Sequence, residues 1–200
     1  MKKTIILFII FLSASISAFS QTELTTDDST QTMRLYIELG VTNGTMIHTN
    51  ALMLTVNGGF VYDRFYIGGF GASLITDIQT PTDSLQYFVD MGFGGLHFGY
   101  DFFPKDNPFS LMAGLDMGMG TISVSLLSID ANGSRYLKLM HNTNAGLFIP
   151  SIKFGYRLFG SLTFNLVGSY TYVTGYQSGG DIESGYFNSF SYGVSLKLEM

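Results

Sequence analysis

The chain has 200 residues, of which 46% are hydrophobic and only 12% charged, with 24 Gly, 18 Phe, 12 Tyr, no Cys and a net charge of −5. That balance excludes a nucleic-acid-binding face or a polybasic membrane anchor, and the lack of Cys excludes a disulfide scaffold and a lipidated N-terminal Cys. A Gly-rich, aromatic-rich, charge-poor chain points to an all-β protein whose apolar surface needs a non-aqueous neighbour.

Residues 1–20 read as a signal peptide: Lys2 and Lys3, an apolar run from Ile5 to Leu12, and Ala18-Phe19-Ser20 before Gln21. The run is too short for a spanning helix, which takes roughly 20 residues. Cleavage would leave 8 of the 10 basic residues against 15 acidic ones, a net charge of −7. Residues 21–32, rich in Thr and Asp, read as a disordered periplasmic lead-in, and residues 33–200 as one barrel domain.

Eight segments then alternate with the period of two that marks a half-buried strand. Met33 to Val41 sets Leu35, Ile37 and Leu39 against Arg34, Tyr36 and Glu38, and Leu52 to Phe60 sets Leu52, Leu54 and Val56 against Thr55, Asn57 and Gly59. Phe65 to Leu74 is blurred by Gly68, Gly69 and Gly71, and Val89 to Phe102 opposes Leu96, Phe98 and Tyr100 to His97, Gly99 and Asp101. Phe109 to Gly120 is the cleanest, with Leu111, Leu115 and Met117 facing one way and Ser110, Gly114 and Asp116 the other. Asn144 to Leu158 sets Phe154 and Tyr156 against Lys153 and Arg157; its Pro150 marks a bulge or the start of the embedded strand. Leu162 to Tyr172 opposes Phe164 and Leu166 to Thr163 and Asn165. The last strand, from near Phe187, puts Tyr192, Val194, Leu196 and Leu198 against lipid and Lys197 and Glu199 inside.

Short links at Tyr62 to Arg64, Pro104 to Pro108 and Phe159-Gly160 alternate with long ones at Thr42 to Ala51, Ile75 to Gln86, Thr121 to Thr143 and Thr174 to Tyr186. This is the pattern of a barrel with tight periplasmic turns and longer extracellular loops, both termini being periplasmic. The 121–143 link carries Ile122, Val124, Leu126 and Leu127, which extend the fifth strand if they pair. Tyr62, Phe65, Tyr66, Tyr100, Phe102, Phe109, Tyr156 and Phe159 flank the short turns as a periplasmic girdle, and Tyr170, Tyr172, Tyr176, Tyr186 and Phe187 form an outer one. The fold expected is an eight-stranded antiparallel up-and-down transmembrane β-barrel, the alternative being a soluble sandwich or lipocalin-like barrel.

The runs Gly94 to Tyr100 with Pro104, the strand through Gly114, Phe148-Ile149-Pro150 and Ser169 to Gly175 resemble the small outer-membrane β-barrel proteins of Gram-negative bacteria, mostly of unassigned function. The resemblance covers nearly all of 33–200. It implies a cell-envelope location, contact with outer-membrane lipids including lipopolysaccharide, and insertion by the outer-membrane assembly machinery, which usually meets a C-terminal aromatic where this chain has Met200. His141-Asn142-Thr143-Asn144 is similar to the His-x-Ser-Asn motif of outer-membrane lipid A 3-O-deacylases; the likeness implies His141 as base, Thr143 as nucleophile and Asn144 as oxyanion donor.

Against that stands a polar strand end: the next acids downstream are Asp181 and Glu183, in the last loop, so no acidic residue follows at a convincing spacing to orient His141. His48, His97 and His141 are too scattered for a metal site, with His97 read as a hydrogen-bonded interior residue. The Gly pairs at 58–59, 68–69, 94–95 and 179–180 precede no helix and so cradle no phosphate. No catalytic, cofactor-binding or metal residue is assigned, and no cofactor is expected. Arg34, Glu38, Asp101, Asp116, Lys153, Arg157, Lys197 and Glu199 all point inward. An eight-stranded interior is just wide enough for side chains to fill it, so these charges should pair as a plug; a narrow porin-like pore is the alternative. The expectation is a monomeric, non-enzymatic barrel with a structural, envelope-stabilising or surface-binding role.

Overall fold

The computed structural model describes residues 33–47, 49–76, 78–82, 85–104, 107–129, 135–176 and 184–200. The signal and lead-in segments, His48, Gly179-Gly180, Asp181 and Glu183 lie outside them. The strands are β1 (Arg34–Met46), β2 (Thr49–Tyr62), β3 (Phe65–Leu74), β4 (Ile78–Thr82), β5 (Leu85–Asp101), β6 (Phe109–Ile129), β7 (Arg135–Phe159), β8 (Leu162–Thr174) and β9 (Ser189–Glu199). All pair antiparallel, in the order β3-β2-β1-β9-β8-β7-β6-β5-β4, and β3 also pairs with β5. That pairing closes a ring of eight, leaving β4 as a short extra strand on β5 outside it. The seam between β1 and β9 continues to the last residue, with Leu35 and Met200 exchanging main-chain hydrogen bonds of 3.0 and 2.8 Å.

Two of the short turns fit the local sequence. Asp63, between Tyr62 and Phe65, has φ of 54°, and Gly160, between Phe159 and Leu162, has φ of 44°, in the left-handed region that tight hairpins use and that Asp and Gly tolerate. Close approach explains one glycine pair. Gly59 faces Gly68 across the β2–β3 ladder, and a Cβ on either would sit within 2.2 Å of the partner strand's carbonyl oxygen.

Strand facing agrees with the alternation on every ring strand, but three expectations change. The long links are mostly paired strand. β1 and β2 remain in register up to Met46↔Thr49, and β6 and β7 up to Ile129↔Arg135. The end of β1, Thr42-Asn43-Gly44-Thr45, carries no hydrophobic signal to mark it, whereas Ile122, Val124, Leu126 and Leu127 pair with β7 and extend the strand as the sequence anticipates. Pro150 is not a bulge: β7 keeps one register against β8 from Gly146 to Arg157, and the shifts fall at Val124/Ser125 and Arg157/Phe159. Finally, Tyr66, Tyr176 and Phe187 leave the girdles and point inward, buried, while the side chain of Tyr186 lies outside the described set. The outer aromatic row is instead Tyr170, Tyr172, Phe190 and Tyr192, with Tyr170 and Phe190 rings 4.7 Å apart.

Candidate functional site

The outer wall carries an apolar band with sharp limits. Its lower edge is aromatic: Phe65 stacks near Tyr100 (4.8 Å), Tyr100 near Phe102 (5.2 Å) and Phe109 near Tyr156 (5.3 Å). Above them Leu96, Ile152, Phe154, Leu166 and Leu196 are exposed, up to Met119 at 79%. Past Met119 the outward positions turn polar, with Asp90 level with Ser123 and Ser123 with Asn142. Phe109 to Met119 is eleven residues. At ~3.4 Å per residue and a tilt of ~40°, that spans about 26 Å along the normal, matching the ~25 Å lipid-facing band of membrane barrels. The chain has the fold of an eight-stranded transmembrane β-barrel.

Comparison with solved structures agrees on the fold. The chain is similar to Neisserial surface protein A, with a TM-score of 0.51 and 9% identity over 84% of this chain and 97% of that one. Weaker likenesses are to the N-terminal β-barrel domain of Pseudomonas aeruginosa OprF (TM-score 0.45, 8% identity, 82% and 97% covered) and to Ail, the attachment invasion locus protein of Yersinia pestis (0.45, 10%, 84% and 97%). No family model matches the chain, and no curated protein matches it in sequence.

Inside the barrel the inner face divides into three layers. At the end that holds the termini, Lys197 Nζ on β9 donates to Tyr66 OH on β3 (2.7 Å) and pairs with Glu199 (3.0 Å), while Tyr66 OH donates to Glu199 Oε1 (2.6 Å). Arg34 closes the cluster with a 2.9 Å bridge to Glu199, and Tyr36 packs edge-on against the Tyr66 ring at 5.2 Å. β3 and β9 are three strands apart in the ring, so this cluster crosses the lumen.

The middle layer crosses it a second time. Lys153 Nζ on β7 donates to Glu38 Oε2 on β1 at 2.7 Å, and Ser195 Oγ donates to Glu38 Oε1 at 2.5 Å. Asn165 Nδ2 donates to Ser195 Oγ at 3.1 Å, so β1, β7, β8 and β9 meet on one carboxylate. Beside it His97 Nδ1 and Asp116 Oδ1, directly opposite each other on β5 and β6, form a buried hydrogen-bonded pair. Taking charges from water is costly unless each finds a partner and further hydrogen bonds; Glu38 has both, with Lys153 as its ion partner and Ser195 and Asn165 as hydrogen-bond donors.

The layer farthest from the termini is apolar. Met53, Phe70, Met91, Phe93, Ile122 and Leu147 fill the inner face and merge with Tyr176 and Phe187, whose rings lie 5.0 Å apart. Burial pushes the Tyr176 phenol pKa up.

Of the eight inward charges expected, Arg34, Glu38, Asp116, Lys153, Lys197 and Glu199 join these clusters. Asp101 does different work, accepting from Ser110 Oγ (2.6 Å) and from the main-chain N–H of Phe103 and Leu111, which fixes the β5–β6 turn. Arg157 lies on the inner face below Lys153. Alternation alone missed Tyr66 as the centre of the lower cluster, because a Tyr beside a short turn also fits a girdle. The His141 motif does not assemble as its likeness implied. His141 and Thr143 face inward, His141 against the Tyr176 ring at 5.9 Å, but Asn144 faces outward on the opposite side of the strand. Among the described residues, no three His, Cys, Asp or Glu side chains gather to hold a metal ion.

Proposed function

We propose that this chain is an integral outer-membrane protein with a non-enzymatic role: it stabilises the envelope and carries a rigid surface projection, its termini periplasmic and its lipid contacts including lipopolysaccharide. One observation carries this reading. Two clusters that cross the lumen, Lys197–Tyr66–Glu199 and Lys153–Glu38, lie beneath an apolar layer, which leaves side chains rather than a water column along the axis. A conducting pore needs polar groups lining a continuous path. The projection consists of β6 and β7 beyond Met119. Gly120 to Ile129 adds ten residues, about 25 Å on the same geometry, and exposes Lys138, Leu139 and Met140. Binding residues concentrate on such outer elements held by a rigid scaffold. Planar-bilayer recording of the refolded protein tests the reading. It predicts no discrete conductance steps above the bare membrane, and a stable unit conductance would replace it with the pore.

A further inference from the structure

The middle layer encloses a cavity of ≈ 30 Å³ lined by Glu38, Asn57, Asp116, Lys153, Thr55 and Ser151 among others. A single internal water needs only about 10–15 Å³ of such volume, together with two to four polar partners. Asn57 is buried, and its Oδ1 has no hydrogen-bond partner within the protein. A buried amide oxygen left unpaired has lost its hydration with nothing to replace it, so the site calls for a donor. Met53, Ile149 and Val167 share the wall with two carboxylates, an ammonium, an amide and hydroxyls, which supply the two to four polar partners that a buried water needs.

We propose that this cavity is a hydration site, holding ordered water that donates to Asn57 Oδ1 and to the Asp116 carboxylate and accepts from the Lys153 ammonium. Lys153 spends one N–H on Glu38 and has others to give. Water suits the site whichever way the Asn57 amide is turned, because it both donates and accepts. A metal cation does not, since the Lys153 ammonium already lines the same space. The water joins the Lys153–Glu38 ion pair and the hydrogen-bonded His97–Asp116 pair into one network across the lumen.

The test uses the full barrel refolded in detergent micelles. Water–amide cross-relaxation should give a peak at the Asn57 side-chain N–H₂ with the sign of a water resident for nanoseconds or longer. Its absence would overturn the proposal. Asn57→Leu, close in size, then decides by sign. In a hydrated site it strands the water and lowers the urea midpoint; in a dry site it removes an unpaired polar group, and a midpoint that stays or rises contradicts us. Should Asn57→Leu fail to fold, the wild-type peak decides alone. A midpoint higher in sodium chloride than in choline chloride would assign the cavity to a cation and refute the water.

Discussion

Glu38 is the side chain on which the interior depends most. Its carboxylate takes an ammonium from β7 and a hydroxyl from β9 while itself on β1, so neutralising it alone strands Lys153. Removing one member of a buried pair costs about 3–5 kcal/mol, whereas replacing both with apolar residues of similar size is close to neutral. Glu38→Ala should therefore lower unfolding stability by roughly that amount, and Glu38→Leu combined with Lys153→Met should recover most of it, in urea titrations monitored by the gel mobility of the folded form. Equal losses in the single and double variants would remove the pair from the account. Arg34 sits at the rim beside the termini, with its side chain 31% exposed, and Arg34→Ala should cost no more than about 1 kcal/mol. The glycines divide in the same way. Gly68→Ala places a Cβ 2.1 Å from Gly58 O and should destabilise the barrel by about 1–3 kcal/mol. Gly92→Ala, with nothing within 4 Å, should leave the midpoint within error.

Among the elements, the β6–β7 pair carries the outward reach. The barrel needs these strands only up to about Gly120 and Ala145, which face each other in the ladder; the remainder is paired backbone outside the lipid zone. Replacing Ser125 to Met140 with an Asn-Gly turn joining Val124 to His141 should leave the folded, heat-modifiable barrel intact. Loss of folding would make the projection part of the core. These strands also show what was legible in the sequence. Where lipid touches one face and polar side chains the other, as from Phe109 to Met117, alternation gave the strand, its facing and its inward charges. Thr42 to Thr45 is polar on both faces and reads as loop for that reason. In the half away from the termini Met53, Met91, Phe93 and Ile122 make the inner face apolar as well, so the period fades and no alternation marks the apolar layer. The partners of the inward charges were equally hidden, because Lys153 and Glu38 are 115 positions apart and meet only once the ring closes.

For the molecule as a whole, membrane residence and a filled interior support each other. A ring of eight strands has no edge to expose in lipid, its outer face is apolar for about 26 Å, and its inner face is occupied by its own side chains. His141 and Thr143 face the barrel interior, away from the lipid on which such a hydrolase would act. His141→Ala should therefore leave lipid A acylation in expressing cells unchanged, and a change on mass analysis of extracted lipid A would reinstate the hydrolase. The most direct test of the central claim is electrophoresis of a membrane fraction in denaturing detergent, with and without boiling. A closed transmembrane barrel stays folded in the unheated sample, so the account predicts that the protein sediments with membranes, needs detergent for extraction, and runs at two mobilities that boiling merges into one. A protein released by salt alone, with a single mobility at every temperature, would contradict it.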